Sequence, residues 1–289
     1  MSHIPVMLDE VLSLLEPCQL HSVFDGTCGG GGHAYAILSK HDEIRKYIAN
    51  DQDEEALSRA KERLACFGSK VEFRRSNFSD SPDQLFEAIL LDIGVSSFHL
   101  DDPERGFSFM KEGPLDMRMD REQSLTAADI VNGWDVKSLE KIFVELGQER
   151  YALRSARAIV RARAKKPFST TLDLAKALEG AIPRRGKIHV ATRIFQALRI
   201  AVNKEIEVLE ESIEKLAYQL TESGRFLVIT FHSGEDRVVK QAFRRLASSG
   251  EFALVNKKPL VPSRKECVKN RRSRSAKLRC IERKKLGKS

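Results

Sequence analysis

Val23-Phe24-Asp25-Gly26-Thr27-Cys28-Gly29-Gly30-Gly31-Gly32-His33 decides the fold. An apolar pair ending on an acid reads as a short strand, four successive glycines as a loop, and Ala34 to Leu38 as the start of a helix. Glycine has no Cβ and tolerates positive φ, so such a loop lets the backbone approach a ligand closely. Upstream, Val6, Met7, Val11, Leu14 and Leu15 follow helical spacing. Downstream, Tyr47-Ile48-Ala49-Asn50-Asp51 is a second strand ending on a carboxylate, and Leu57, Ala60, Leu64 and Phe67 mark one helix face. Val71 and Phe73 alternate with charge as a third strand, and Ala88-Ile89-Leu90-Leu91-Asp92 has the unbroken apolar character of a parallel strand buried on both faces. Strand and helix alternate, so the fold is α/β.

The next buried strand, Phe226 to Phe231, begins 134 positions after Asp92, whereas a crossover with its helix takes roughly 30 residues. The surplus is helical in pattern: Leu139, Ile142, Phe143 and Leu146 share one face, and Leu172, Leu174, Ala175 and Leu178 form another cluster. The sequence thus predicts a helical domain over 104–200, inserted into a sheet domain made of 1–103 and 201–289. After the insert, Val202, Ile206, Leu209, Ile213, Leu216 and Leu220 predict one long helix leading back to the sheet.

Charge is unevenly spread over the 289 residues. The net charge is +8, yet residues 257–289 hold 14 Lys/Arg and 2 acids, leaving the rest slightly acidic. That basic C-terminal tail is expected to contact phosphates that position a nucleic acid without reading its bases. Arg150, Arg154, Arg157 and Arg161 step along one helical face and favour the same kind of contact. No run approaches the roughly 18 apolar residues of a membrane span, so a cytoplasmic protein without membrane association is expected. Five scattered cysteines, none in a C-x-x-C pair, argue for reduced thiols and against a zinc or other metal site. Neither a P-loop nor a G-x-S-x-G elbow is present.

Three features meet in one crevice. Asp51 stands 19 residues beyond Gly32 at the end of the second strand, where a carboxylate accepts hydrogen bonds from a ribose diol. The first and fourth strands flank the switch point of a doubly wound sheet, so Asp92 should face the glycine loop. A dinucleotide or S-adenosylmethionine would suit such a crevice. The glycines do not follow the G-x-G-x-x-G spacing that a pyrophosphate needs, whereas Asp25 just before the loop resembles the methyltransferase arrangement.

Longer blocks extend that likeness: Asp25-Gly26-Thr27 with Gly31-Gly32-His33, Leu91 to Ser97, Leu100 to Phe109, Gly113 to Asp120, Phe195 to Asn203 and Arg272 to Arg279. On these the chain resembles the RsmH/MraW family of bacterial 16S ribosomal RNA cytosine-N4 methyltransferases. The resemblance implies a Rossmann-like, S-adenosylmethionine-dependent methyltransferase sheet. It also implies methylation of N4 of a cytidine in the decoding region of 16S rRNA, within the small ribosomal subunit and not on DNA. By motif match it assigns cofactor contacts to Gly31, Gly32, His33, Asp51, Phe78, Asp92 and His99. Phe98-His99 stands where the family usually has Pro-Gln, and imidazole still hydrogen-bonds. The inserted domain is expected to recognise RNA. The Asp/Asn-Pro-Pro-aromatic tetrad of many amino-methyltransferases is absent, and Asp92-Ile93-Gly94-Val95 occupies that strand end. Asp92 is therefore the expected catalytic acceptor for the target amine.

Overall fold

Parallel strands covered on both sides need apolar side chains on both faces, and the N-terminal strands supply them. In the computed structural model, which describes residues 5–94, 102–183 and 189–285, one sheet contains β1 (Ser22–Asp25), β2 (Lys46–Asp51), β3 (Val71–Arg75), β4 (Phe86–Asp92), β5 (Leu220–Thr230), β6 (Phe252–Leu254) and β7 (Lys277–Arg283). Their order is β3-β2-β1-β4-β5-β7-β6. The first five in that order run parallel, and β7 is antiparallel to both β5 and β6. The chain steps outward from β1 to β2 and β3, then returns to β4 on the other flank of β1. The gap between β1 and β4 is the switch point. This is the Rossmann-like α/β sheet expected from the sequence.

The two compact units are Met1–Gly94 with Ile206–Ser289, and Val95–Glu205; the sequence pattern had drawn the insert at 104–200. In the sheet unit, one face packs Val23, Tyr47, Ala88 and Leu90 against α1 (Leu8–Leu15), α2 (Gly32–Lys40) and α3 (Glu54–Leu64). Asp53 caps α3 by accepting the Glu55 N–H, with acids in its first turn and Lys61 and Arg63 in its last, in the sense the helix dipole favours. The other face buries Phe24, Ile48, Ile89 and Leu91 with residues on either side of β5. The inserted unit has its own core, built by α4 (Ala127–Gly133), α5 (Val136–Glu145), α6 (Ala152–Arg163), α7 (Thr171–Glu179) and α8 (Thr192–Asn203). In the loop that precedes α4, Arg105 is buried and donates to the carbonyls of Arg118 and Met119 at 3.1 and 3.0 Å. Asp102 caps the short turn Pro103–Arg105. No described helix is long and apolar enough to cross a membrane.

One expectation needs correction. The single helix from Val202 to Leu220 is broken at Lys204, whose left-handed conformation (φ 49°, ψ 37°) ends α8 before α9 (Glu205–Tyr218) begins. Leu220 then opens β5. A bidentate Arg199–Glu205 pair, both contacts 2.8 Å, spans the break. The basic C-terminal segment, whose order the sequence left open, is largely folded. It forms α11 (Arg264–Lys269), a short turn Arg271–Ser275 and then β7, an internal strand whose Leu278, Cys280 and Ile281 are fully buried.

Candidate active site

Strand register brings three carboxylates to one edge of the sheet. Asp25 pairs with Ala49 on β2 and with Leu90 on β4. Asp51 and Asp92 each lie two residues farther along those strands. Side chains two apart share a face, so Asp25, Asp51 and Asp92 lie on the same side at the carboxyl ends of three adjacent strands, flanking the switch point. Local hydrogen bonds fix this edge: Thr27 Oγ1 accepts the Asp92 N–H at 2.6 Å, and Asp25 accepts the Tyr47 hydroxyl at 3.0 Å and the Thr27 N–H at 3.3 Å. Burial pushes the Asp25 carboxyl up to about 7, with Asp51 and Asp92 adding to the rise and the two donors opposing it.

The glycine loop is tied to the second of these acids. Asp51 accepts the Gly29 N–H at 2.8 Å with one oxygen and the Asp53 N–H at 2.9 Å with the other. Asp51 is only partly buried, and a carboxylate oxygen accepts more than one hydrogen bond. Gly29 adopts positive φ (54°) and a side chain there would meet nothing within 4 Å, so the loop's open approach is at this residue. Gly31 and Gly32 need to be glycine for a different reason. Gly31, at φ 73°, approaches Ala60 of α3, and a Cβ on Gly32 would stand 2.7 Å from Pro5 Cγ. Their lack of side chains serves packing, while their backbone carries the loop into α2.

His33 is buried, and its Nε2 lies 2.9 Å from the Val6 carbonyl. A carbonyl only accepts, so Nε2 carries the proton, and burial lowers the ring's pKa to about 4. The neutral ring is left with a bare Nδ1, 3.8 Å from Asp92 Oδ2. Asp92 keeps 23% of its side chain exposed and accepts the Gly94 N–H at 3.3 Å. Burial pushes its carboxyl up to about 7, opposed by the Gly94 bond and reinforced by Glu235. Near neutral pH it is therefore divided between carboxylate and carboxylic acid. Phe78, in the turn Phe78–Asp80 after β3, is partly buried, with its Cβ 2.9 Å from where a Gly26 side chain would begin. It thus overhangs the end of β1. His99 lies outside the described residues.

Charge decides which ligand suits this edge. Three clustered acids oppose a pyrophosphate and favour a cation, which a sulfonium is and a dinucleotide is not. The donor set fits S-adenosylmethionine, with Asp51 for the ribose hydroxyls, the Gly29 opening for close backbone approach and Phe78 for an aromatic face. Cys28 is buried with its thiol pushed well above its ordinary value, chiefly by desolvation, so it is no nucleophile.

Sequence reasoning missed four supporting residues. They are Thr27, Gly29, Tyr47 and Asn50, the last of which donates to the carbonyls of Gly26 at 3.1 Å and Ser76 at 2.9 Å. A tyrosine and an asparagine within the apolar run of a buried strand were the available signal, since each must find a partner.

Comparison with known proteins agrees with the geometry. The family described as the MraW methylase family matches residues 1–284. A relative from Nostoc sp. (strain PCC 7120 / SAG 25.82 / UTEX 2576), named Ribosomal RNA small subunit methyltransferase H, is 48% identical over 286 residues, covering 97% of this chain and 92% of its own. The protein of the same name from Carboxydothermus hydrogenoformans is 45% identical over 306 residues, covering 97% of each. Among solved structures, an rRNA methylase from Streptococcus thermophilus covers 98% of this chain and 100% of its own at 12% identity and a TM-score of 0.45. That last likeness adds nothing to the topology itself.

Proposed function

Because the chain belongs to the MraW methylase family and is a methyltransferase, we propose that it methylates N4 of a cytidine in the decoding region of 16S rRNA, in the small ribosomal subunit, with S-adenosylmethionine as methyl donor. The observation that carries this reading is the set of three carboxylates beside the glycine loop, an edge suited to a cationic nucleoside. Bound there, S-adenosylmethionine supplies an electrophilic methyl group. Asp51 holds the ribose, the backbone of Gly31, Gly32 and His33 shapes the loop against the ligand, and Phe78 offers its face to the adenine. An enzyme with this substrate works in the cytoplasm.

The exocyclic amine of cytosine is a weak nucleophile, because its lone pair is delocalised into the ring. The base must leave its stack to reach the sheet edge. Asp92, partly exposed there, accepts an N–H of the amine, which favours pyramidalisation and frees the lone pair. With the sulfonium methyl supplied by bound S-adenosylmethionine, N4 would gain positive charge on accepting it, and Asp92 would stabilise that charge and take the departing proton. The Thr27 hydroxyl, bonded to the Asp92 backbone, holds that carboxylate at the strand end.

Nucleoside mass spectrometry of 16S rRNA from small subunits incubated with S-adenosylmethionine, with and without the protein, tests the reaction. N4-methylcytidine is the expected product; methyl on C5 or on the ribose overturns the assignment. Asp92→Asn keeps the shape and one acceptor oxygen but removes the charge. Its single-turnover rate should fall about a hundredfold or more, with cofactor affinity held within severalfold. If affinity falls instead and saturating cofactor restores the rate, Asp92 serves the cofactor alone.

A further inference from the structure

We infer that the arginine face of α6 is a binding surface for the phosphodiester backbone of the substrate RNA, an inference that rests on the reaction proposed above. Arg150, Tyr151, Leu153, Arg154, Arg157 and Arg161 line one cavity of about 440 Å³. All four arginines are exposed, and among the described residues none of them is ion-paired. Glu149, the adjacent acid in sequence, accepts the Tyr151 N–H at 2.8 Å.

The helix is built in a way that stability alone disfavours. On α6, Arg157 and Arg161 are like charges four apart, and Arg154 and Arg157 three apart, both spacings at which like charges repel. The first turn of α6 contains no acid, and no side chain caps its N-terminus. Arg150 and Arg154 thus sit at the end where the helix dipole repels cations. The opposite face, Ala152, Ser155, Ala156 and Ile159, is buried, so the helix cannot roll to spread this charge. An external polyanion would relieve all of these repulsions at once.

Arg154, Arg157 and Arg161 follow one another at about 4.5 and 6 Å along the helix axis, a ladder suited to the repeating charges of one strand. Guanidiniums bind phosphates bidentately. The Arg150 guanidinium lies 6.0 Å from the centre of the Tyr151 ring, and with Leu153 in the same cavity it leaves apolar and aromatic surface for a base to rest on. A free phosphate would use only the charges, so a nucleic-acid strand fits the whole surface better.

The test uses the full chain carrying Arg154→Gln with Arg157→Gln, and a polyuridine oligonucleotide in filter binding across a salt titration. Each single-strand phosphate contact contributes about 0.7 to the slope of log K against log salt. The double variant should lose about 1.4 of that slope. Arg154→Lys with Arg157→Lys should keep it, cofactor affinity should be unchanged in both, and the thermal midpoint of the Gln pair should not fall. An unchanged slope in the Gln pair overturns the inference. So does a Gln pair that loses binding to polyglutamate while binding RNA normally, which would assign the face to an acidic protein. If the wild-type chain yields no N4-methylcytidine while the slope still changes as expected, the reaction fails and the RNA surface stands.

Discussion

The chain has two basic regions that look alike in sequence and differ in what answers their charge. In the C-terminal segment, Lys277 and Arg279 of β7 ion-pair with Asp236 of α10 (Ser233–Ser248) at 2.9 and 2.7 Å, and Arg283 donates to the carbonyls of Tyr218 and Leu220. Glu282 in turn holds Arg225 at 2.8 Å. On α6, Arg154, Arg157 and Arg161 have no such partners among the described residues. Charge counted along a sequence therefore does not separate the partnered Lys277, Arg279 and Arg283 from the unpartnered Arg154, Arg157 and Arg161. A cation is available to an outside partner only if no acid elsewhere in the chain has claimed it, and those acids lie far away in sequence.

The sharpest way to break this comparison is to remove each region. Deleting 277–289 takes β7 from between β5 and β6 and strips Leu278, Cys280 and Ile281 from the core. The expected loss rivals the whole stability of a domain, about 5 to 15 kcal/mol, so circular dichroism should show no cooperative melt and calorimetry no cofactor binding. A truncated protein that melts normally would make the segment an appendage after all. Next in size is Asp236→Ala, which leaves Arg279 buried without its partner. Urea unfolding should register a loss of about 3 to 5 kcal/mol. A loss under about 1 kcal/mol would mean that the pair behaves as a surface contact.

The sheet was legible because its signals are local. Ala88 to Leu91 is apolar throughout, and Asp25, Asp51 and Asp92 each stand at the end of such a run, so both the strands and their acidic ends could be read directly. The break at Lys204 could not, because neither glycine nor proline marks it, and the Arg199–Glu205 pair that spans it, six positions apart, has no signal in helical spacing. β7 was hidden for a similar reason. Lys277-Leu278-Arg279-Cys280 alternates as a strand should, yet the arginine is buried only because Asp236 comes from 43 positions away. At the site, the tautomer of His33 depends on the Val6 carbonyl, 27 residues upstream. Periodicity carries no information about that contact.

The smallest effect expected is one of sign, and it separates answered from unanswered charge among the acids. Burial pushes the Asp236 carboxyl up, but hydrogen bonds and charge from Arg279 and Lys277 outweigh it and hold the group below its ordinary value. A carboxyl depressed in the folded state stabilises above its unfolded value of about 3.9, and that contribution is lost as pH falls through the folded value. Asp25 behaves oppositely. Raised to about 7, mainly by burial and with no cation among the groups acting on it, it binds its proton more tightly when folded. Its contribution is full below about pH 3.9 and is lost progressively as pH rises toward about 7. Urea unfolding between about pH 4 and about pH 8 should therefore show stability declining across that window from this group. Asp25→Asn, which keeps an oxygen to accept the Tyr47 hydroxyl, should flatten part of the decline and leave the acid-side loss from Asp236 in place. Asp92, raised to about 7 by its own burial, sustains the remainder. A decline of unchanged steepness in Asp25→Asn would show that the Asp25 carboxyl does not titrate in this window, and that its buried charge is answered after all.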